Sequence, residues 1–462
     1  MAILVSNYKM KQLQADTLTP ISVFQALNGQ NKVLFESSAK HEESGRYSFI
    51  AMNPTARLQG DETGAIYTKN GEQNTYDSQG VLDVCKQVLP KIHANLPFSF
   101  FGGAIGHFSY ETAYHVEKIG EKHHNEVNIP DVHLMFYESF IVFDHLHQTL
   151  TIAAIDLWNE GKSEAEMDAT IAAIEEQIKE SKSYSPIDQV QIQFQPTIEK
   201  EHFISIVETA KEHIKKGDIF QVVLSQRFEA DFNDDPFSLY RKLRTVNASP
   251  YMFYVEFGDY TVLGTSPESL VKINGSIVTT NPIAGTKKRG VNREEDYLIA
   301  EALLKDEKEI AEHKMLVDLG RNDIGRVSEV GSVKVTKYMQ IERYKHVMHI
   351  VSEVSGKLRA GVDAIDVIKA CLPAGTVSGA PKIRAMQIIN RLETTRRNIY
   401  AGAIGYISAT GDMDLALAIR TMVVKDGKAY VQAGAGVVYD SIPASEYEET
   451  WNKAKALLEV QR

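Results

Sequence analysis

Predicted strands in this chain come in clusters joined by short turns, and predicted helices come in separate blocks. Before residue 159 the chain contains strand-like stretches such as AIYTKN and SFIVFDHLHQTLTIAAIDL, with few convincing long helices. Farther along, the alternating run IFQVVLSQRFEA follows a helical segment with Phe203, Ile206, Val207, Ala210 and Ile214 on one stripe. Because strands and helices do not alternate regularly, the pattern favours an α+β fold with mostly antiparallel sheets over a series of βαβ units.

The most polar part of the chain runs from Asn159 to about Thr197. It contains one amphipathic helical pattern and then the short, turn-rich stretch SKSYSPIDQVQIQFQP. A domain boundary is expected there. The sequence therefore predicts an N-terminal region over residues 1–185 and a second region over residues 190–462.

One internal similarity links the two regions. FGGAIGHFSYE, from Phe101, and YAGAIGYISAT, from Tyr400, share the core GAIG. Small residues recur wherever strands pack closely, which is one explanation. The other is an ancient duplication, or two halves of one sheet system.

Composition excludes several classes of partner. The chain has 462 residues, and its 50 basic against 61 acidic residues give a net charge of −11, the wrong sign for a general binder of nucleic acid or anionic membranes. No stretch approaches the ~18 apolar residues of a membrane span, and the N-terminus has no cleavage-site pattern. Cys85 and Cys371 are far apart, which excludes a disulfide scaffold and a zinc ribbon. We therefore expect a cytoplasmic protein with no nucleic-acid or membrane partner.

Several polar residues stand where the local pattern favours apolar ones. Gln221 lies on the alternating strand, Glu268 follows a strand and a proline turn in GTSPESL, and Glu312 shares a helical stripe with leucines. Glu312 would need a cation partner there, whereas the other two have a simpler explanation. A solvated outer strand face would explain Gln221, and the first turn of a helix would explain Glu268.

A second acidic helix face is predicted near the C-terminus. Ser445 and Glu448 have the spacing of a capping box, and Glu446 and Glu449 follow on one face with Lys453. A solvated acidic first turn accounts for these glutamates. Two glutamates from separate helices would also suit Mg²⁺, which prefers oxygen ligands and keeps several waters.

Alternating glycines in QAGAGVVYD are the most informative backbone feature. Gly434 and Gly436 weaken a strand, and one reason to keep them is close approach of a ligand oxyanion to backbone N–H groups. A bulge or tight strand crossing is the alternative. Arg420, after the apolar strand LALAI, could clamp a carboxylate with two hydrogen bonds.

Taken in order, the motifs of the chain resemble those of the large, aminating component of anthranilate synthase, within the chorismate-utilising enzymes. The resemblance runs nearly end to end, through LFESS, GRYSF, DIFQVVLSQRF, NASPYMF, GTSPES, PIAGTKKRG, EHKMLVDLGRNDIGRV, YKHVMHIVSEV, GTVSGAPKIRAM, GAIGY and QAGAGVVYDS. It implies antiparallel sheets packed as a sandwich with flanking helices, with the two halves of the chain interleaved. The chain boundary near residue 190 would then divide the sequence only.

The resemblance also implies a reaction, a cofactor and site residues. The reaction is the conversion of chorismate and ammonia, with Mg²⁺, to anthranilate and pyruvate, a carbon–oxygen lyase step of tryptophan biosynthesis. By similarity, Glu268 is the general acid for loss of the ring hydroxyl, and His349 takes part in the later loss of pyruvate. Glu312 and Glu449 are expected to hold Mg²⁺, with Glu446 near the ion. The residues expected to contact the substrate are Gly285, Thr286, Thr376, Tyr400, Arg420, Gly434, Ala435 and Gly436.

Two positions discriminate among the relatives. Relatives that add water tend to carry lysine where this chain has Gln221, so isochorismate and salicylate synthases are disfavoured. Common aminodeoxychorismate synthases carry a lysine where this chain has Ala284, which offers no nucleophile. An aminodeoxychorismate synthase component I that works without that lysine stays open, as does a catalytically silent tryptophan-binding homologue.

The resemblance finally implies a regulator and a partner. Ser37, Pro250, Tyr251 and Met252 match the segments that bind tryptophan as feedback inhibitor, with Ala248 replacing a proline of the common motif. Neither cysteine lies in a nucleophile-like motif. A separate glutamine amidotransferase subunit is therefore expected to supply ammonia, in a heterotetramer of two of each subunit.

Overall fold

The computed structural model describes residues 4–5, 7–37, 45–93, 98–181, 187, 192–344 and 347–460. The predicted domain boundary falls mostly at residues 182–186 and 188–191, outside the described residues. The strands are β1 (Leu4–Val5), β2 (Tyr8–Gln14), β3 (Val33–Glu36), β4 (Tyr47–Ala51), β5 (Ala56–Gly60), β6 (Gly64–Lys69), β7 (Glu72–Asp77), β8 (Ile92–His93), β9 (Gly103–Phe108), β10 (Val132–Tyr137), β11 (Ser139–Asp144), β12 (Thr149–Ile155), β13 (Gln195–Pro196), β14 (Gln221–Asp231), β15 (Tyr251–Glu256), β16 (Tyr260–Ser266), β17 (Ser269–Asn274), β18 (Ile277–Thr280), β19 (Ile283–Lys288), β20 (Lys334–Arg343), β21 (Val347–Lys357), β22 (Gly379–Ala380), β23 (Ala403–Ser408), β24 (Met413–Leu417), β25 (Thr421–Lys425) and β26 (Lys428–Val437). The helices are α1 (Pro20–Ala26), α2 (Val81–Val88), α3 (Glu164–Lys179), α4 (Lys200–Lys215), α5 (Pro236–Val246), α6 (Arg293–Leu303), α7 (Glu307–Gly325), α8 (Ala364–Cys371), α9 (Gly375–Ser378), α10 (Lys382–Leu392) and α11 (Pro443–Leu458), with a 3₁₀ helix at Tyr110–His115.

Two antiparallel sheets of 12 strands each form the body of the molecule. Sheet I has the order β19-β21-β18-β17-β24-β23-β9-β10-β5-β6-β7, and β20 also pairs with β21. Sheet II has the order β13-β14-β26-β25-β16-β15-β3-β4-β11-β12-β2, and β22 also pairs with β14. Both sheets contain strands from early and late in the chain. The predicted α+β class and the interleaving of the two halves are confirmed.

The two GAIG segments are neighbouring strands of sheet I. β9 pairs with β23, and Gly106 lies opposite Gly405. A Cβ on Gly106 would lie 1.9 Å from the backbone oxygen of His133, and a Cβ on Gly405 would lie 2.1 Å from that of Asp414. Each of these oxygens belongs to the strand on the other side of the glycine, and both distances are steric overlaps. Glycine is therefore required at both positions, as close packing of strands predicts, and the two segments are paired strands of one sheet.

The main core contains residues of both sheets, such as Phe108 of sheet I and Phe253 of sheet II. A second core covers the other side of sheet II, where α3 packs Met167, Ile171 and Ile174. This α3 stripe and the stripe of α4 are the helical patterns predicted from the sequence. Apolar burial at about 25 cal/mol per Å² is the main force that holds these layers together.

The start of α11 differs from the prediction. The helix begins at Pro443, and Ile442 at its N-cap makes no side-chain capping bond, so the expected Ser445–Glu448 capping box is wrong. Proline is well suited to the first helical position because its φ is already helical and its missing N–H would have no partner there. Glu446 consequently lies in the first turn.

Candidate active site

A cavity of about 520 Å³ lies at the end of sheet II beside β19 and β21 of sheet I, and α7, α9 and α11 complete its walls. All of the residues expected to bind substrate or metal, or to act in catalysis, line it except Ala435. These residues are scattered from position 221 to position 449, so the fold brings them together.

Glycines of β26 allow two walls of the cavity to approach closely. A Cβ on Gly434 would lie 2.6 Å from the Tyr400 hydroxyl oxygen, and one on Gly436 would lie 2.7 Å from Nε2 of Gln221. Ala435 lies between them, fully buried and paired with Leu224, because alternate strand residues face opposite sides. The glycines therefore make room for side chains of the cavity wall as well as for a ligand.

Gln221 is buried, so the solvated strand face considered for it is wrong. Its side chain is 5% exposed, and Nε2 donates to Oε1 of Glu312 at 3.1 Å. Its Oε1 is buried and has no hydrogen-bond partner in the described part of the chain. A buried acceptor without a donor is costly, so this oxygen is available to a donor in the cavity.

Glu268 lies in the turn between β16 and β17, so the explanation that it starts a helix is wrong. It is 7% exposed, and the Thr376 hydroxyl donates to its Oε1 at 2.8 Å. Burial raises the pKa of Glu268 to about 7, although the hydrogen bond from Thr376 lowers it. Both protonation states are consequently accessible near neutral pH, as general acid catalysis requires.

His349, on β21, lies opposite Thr286 of β19. Its Nδ1 is 3.2 Å from the Gly285 carbonyl oxygen and 3.0 Å from the Thr286 hydroxyl. A carbonyl only accepts, so Nδ1 carries the proton and Nε2 is left as an acceptor. Burial lowers the pKa of His349 to about 4, so the ring is neutral at neutral pH.

Arg420 has a backbone φ of +49°, in the left-handed region that non-glycine residues avoid. Its guanidinium makes no hydrogen bond or ion pair with any of the described residues, and burial lowers its pKa. An unpaired cation in a cavity wall is stabilised by an anion, and a guanidinium matches a carboxylate with two parallel bonds.

Two helices each present a pair of glutamates to the cavity. Glu309 and Glu312 lie one turn apart on α7, and Glu446 and Glu449 do the same on α11. Burial raises the pKa of Glu309 and of Glu446, and the second glutamate of each pair raises it further. This oxygen-rich donor set, with its excess of negative charge, fits Mg²⁺.

Glu309 is the member that sequence reasoning missed. The signal was present, because Glu309 precedes Glu312 by three residues and so shares its helix face. Glu449 also contacts Lys453, with 2.7 Å between Oε1 and Nζ, and both residues line the cavity. The cavity wall therefore contains cations that could balance part of the glutamate charge.

Elsewhere in the described ranges, Glu62, His115 and Asp131 are the only group of three or more side chains with ligand atoms within 4.8 Å of one another. The Lys122 ammonium already contacts Glu62 and Asp131. The position that a metal ion would need there is filled by a side-chain cation.

A second cavity, of about 370 Å³, lies between the two sheets and is lined by Ser37, Pro250 and Tyr251. The Tyr251 hydroxyl donates to Oδ1 of Asp414 at 3.0 Å. Met252 does not line this cavity; it is buried in the second core because it follows Tyr251 on a strand and faces the other way. The expected inhibitor residues are thus brought together without Met252.

Comparison with known proteins identifies the family of the chain. The profile of the family described as chorismate binding enzyme matches residues 30–459. The chain belongs to the chorismate binding enzyme family. Anthranilate synthase component 1 of Lactococcus lactis is 46% identical over 98% of this chain and 99% of its own, and that of Aquifex aeolicus is 45% identical over 97% and 93%.

Solved structures extend the comparison to the fold. The crystal structure of anthranilate synthase component I from Streptococcus pneumoniae has a TM-score of 0.83 and 45% identity, covering 96% of this chain and 99% of its own. MenF, the menaquinone-specific isochorismate synthase of Escherichia coli, has a TM-score of 0.73 at 18% identity, with 99% and 95% coverage. The second likeness concerns the fold alone.

Two further observations bear on function. Both cysteines are buried, and burial raises the pKa of Cys371 to about 12 and raises that of Cys85 as well. Neither thiol therefore has the thiolate character of a nucleophile. Among the helices of the described residues, none is both long enough and apolar enough to cross a membrane.

Proposed function

We propose that this chain is the aminating component of an anthranilate synthase, acting in the cytoplasm in tryptophan biosynthesis. It would convert chorismate and ammonia to anthranilate and pyruvate. The observation that carries the proposal is a single cavity wall that combines the unpaired Arg420 guanidinium with Glu268, whose pKa is about 7. A dicarboxylate with a hydroxyl leaving group needs both a cation and an acid.

Substrate binding follows from the charges of the cavity. Arg420 would bind the enolpyruvyl carboxylate, and the close approach allowed by Gly434 and Gly436 would let backbone N–H groups help. Glu312 and Glu449 would hold Mg²⁺, which when bound would neutralise the ring carboxylate. Without a cation these glutamates would repel a dianionic substrate.

Amination then needs one proton at the ring hydroxyl. Glu268 in its acid form would give its proton to that oxygen, so that the C–O bond breaks and water leaves while ammonia forms the C–N bond. Glu268 is left as a carboxylate. In the second step the ring loses a proton, the enolpyruvyl ether bond breaks, and the released enolpyruvate takes up a proton at its methylene carbon to give pyruvate. The neutral His349 ring, with Nε2 as acceptor, supports a role in this proton transfer.

The choice of ammonia over water rests on Gln221. An amide cannot remove a proton from water, but its unpartnered Oε1 can accept a hydrogen bond from ammonia. Ala284 also lines the cavity and offers no amine that could form a covalent intermediate. Both residues favour direct amination by free ammonia.

The ammonia would come from a separate glutamine amidotransferase subunit, in a heterotetramer of two of each. The two buried thiols support this, because glutamine hydrolysis of this type needs a reactive cysteine. The cavity with Ser37, Pro250 and Tyr251 is the proposed site for tryptophan as feedback inhibitor. Its walls come from both sheets, so a ligand there could alter how the sheets pack.

The test is to incubate the purified chain with chorismate, Mg²⁺ and concentrated ammonium at mildly alkaline pH. We expect 2-aminobenzoate, identified by fluorescence and NMR, that disappears with EDTA and falls with tryptophan. A 4-amino product would instead indicate an aminodeoxychorismate synthase component. No turnover with either ammonium or a supplied amidotransferase subunit would indicate a silent tryptophan-binding homologue.

A further inference from the structure

A buried arginine behind the cavity joins separate parts of its wall. Arg397 is 3% exposed, and its guanidinium donates from Nη1 to the Val377 carbonyl at 2.8 Å and from Nη2 to the Val223 carbonyl at 2.7 Å. Its charge is balanced by Glu393, with Nε to Oε2 at 2.8 Å and Nη2 to Oε1 at 2.6 Å. Every nitrogen of the guanidinium therefore has at least one hydrogen-bond partner.

The same guanidinium packs against an aromatic ring of the cavity. Its central carbon lies 5.5 Å from the ring centroid of Tyr400 and 4.8 Å from that of Tyr110. Val223, Val377 and Tyr400 all line the cavity and come from distant parts of the chain. Arg397 itself does not line the cavity; it bonds the backbone carbonyls of two of these residues and faces the ring of the third, so it acts on the cavity from outside.

One of these contacts leads to the proposed acid. Val377 directly follows Thr376, whose hydroxyl donates to Glu268. Both lie on α9, which has only four residues and so cannot be held by its own hydrogen bonds. β22, directly after α9, pairs with β14, and Arg397 links the same strand to the helix itself by bonding both the Val377 and the Val223 carbonyls.

We propose that Arg397 is a positioning residue that orients α9, and so keeps the Thr376 hydroxyl bonded to Glu268. The proposal rests on the proposed function, because it concerns the acid of that reaction. An arginine is needed because its planar group donates to a carboxylate and to two carbonyls at once. A lysine has one nitrogen with three donors, one fewer than the four hydrogen bonds that the Arg397 guanidinium makes.

The consequence is a shift in the pH dependence of turnover. The hydrogen bond from Thr376 lowers the pKa of Glu268, so its loss raises that pKa. A general acid works only while protonated, so the alkaline limb of the kcat profile should move to higher pH. For one lost hydrogen bond to a carboxylate the move is roughly one pH unit.

The experiment compares Arg397→Lys, Thr376→Val and the double variant in the full chain, using kcat for anthranilate formation between pH 6 and 9. Both single variants should shift the alkaline limb of the kcat profile to higher pH. Arg397→Lys should add little to the shift in the Thr376→Val background, because the hydrogen bond from Thr376 to Glu268 is already absent there. Arg46→Lys is the matched control. Arg46 also bonds a carboxylate with two nitrogens, that of Asp144, and lies over a tyrosine ring, that of Tyr47. Neither partner lines the cavity or adjoins Arg397, so the alkaline limb of this variant should not move.

If Arg397→Lys does not fold, Glu393→Gln replaces it. That change removes the charge that holds the guanidinium but keeps the side-chain shape. It should also move the alkaline limb of the kcat profile to higher pH, by less than Arg397→Lys would. An unshifted limb in the folded variants, or additive shifts in the double variant, would overturn the positioning role. A parent chain that forms no anthranilate would instead overturn the proposed function, so the two failures are distinguishable.

Discussion

Replacing Glu268 by glutamine should stabilise the protein at alkaline pH, relative to the parent chain, while it strongly lowers turnover. Glutamine keeps the shape and still accepts the hydrogen bond from Thr376, but it cannot titrate. Burial raises the pKa of Glu268 from 4.5 to about 7, so the folded chain binds this proton more tightly than the unfolded chain does. The resulting stabilisation is complete below pH 4.5 and is lost as the pH rises through about 7.

The magnitude follows from the shift. Moving this one pKa from 4.5 to about 7 corresponds to about 3 kcal/mol in the free energy of unfolding between the two limits. Relative to the parent, Glu268→Gln should therefore gain up to about 3 kcal/mol on going from pH 4.5 to pH 8. Anthranilate formation should fall by roughly 100- to 10,000-fold over the same range, the usual contribution of a general acid.

Urea unfolding followed by circular dichroism at several pH values between 4.5 and 8 measures the first quantity, and anthranilate fluorescence measures the second. Glu208→Gln is the control, because Glu208 is an exposed glutamate on α4, and it should show neither effect. A stability difference that does not change with pH would refute the reasoning, since Glu268 would then not be a buried carboxyl with a raised pKa. Substantial turnover in Glu268→Gln would refute its role as acid.

Three further outcomes are expected. Gly434→Ala would place a Cβ 2.6 Å from the Tyr400 hydroxyl and should lower kcat/KM roughly 100-fold. Gly325→Ala is the control, because its Cβ meets no atom within 4 Å, and it should leave kcat/KM unchanged. Equal losses in the two variants would contradict the steric argument. Glu312→Gln should raise the Mg²⁺ concentration for half-maximal turnover by roughly 10-fold or more in a metal titration, and an unchanged value would remove Glu312 from the metal site. L-Tryptophan should raise the unfolding temperature of the parent chain, and this rise should disappear in Tyr251→Ala; a rise that persists would place the inhibitor elsewhere.

Local patterns predicted the secondary structure well where one periodicity was strong. The stripes of α3 and α4 and the alternation of β14 depend only on neighbours in sequence, and all three elements are present. The start of α11 was wrong because two signals competed, a proline and a capping box, and residue spacing alone does not rank them. Burial was harder to predict: Gln221 looked as much like a solvated residue as a cavity residue until sheet II and α7 enclosed it.

The sequence by itself determined the chemistry that is available: the acids, Arg420, the strand glycines, two isolated cysteines, and an order of motifs characteristic of one family. Tertiary structure alone decided what these groups can do. Burial raises the pKa of Glu268 and lowers that of His349, and the packing of distant strands and helices leaves Arg420 without a partner in the described chain. It also brought in Glu309 and Arg397, which no motif singled out. Desolvation and hydrogen bonding depend on all atoms within a few ångströms, and most of those atoms belong to residues far away in sequence.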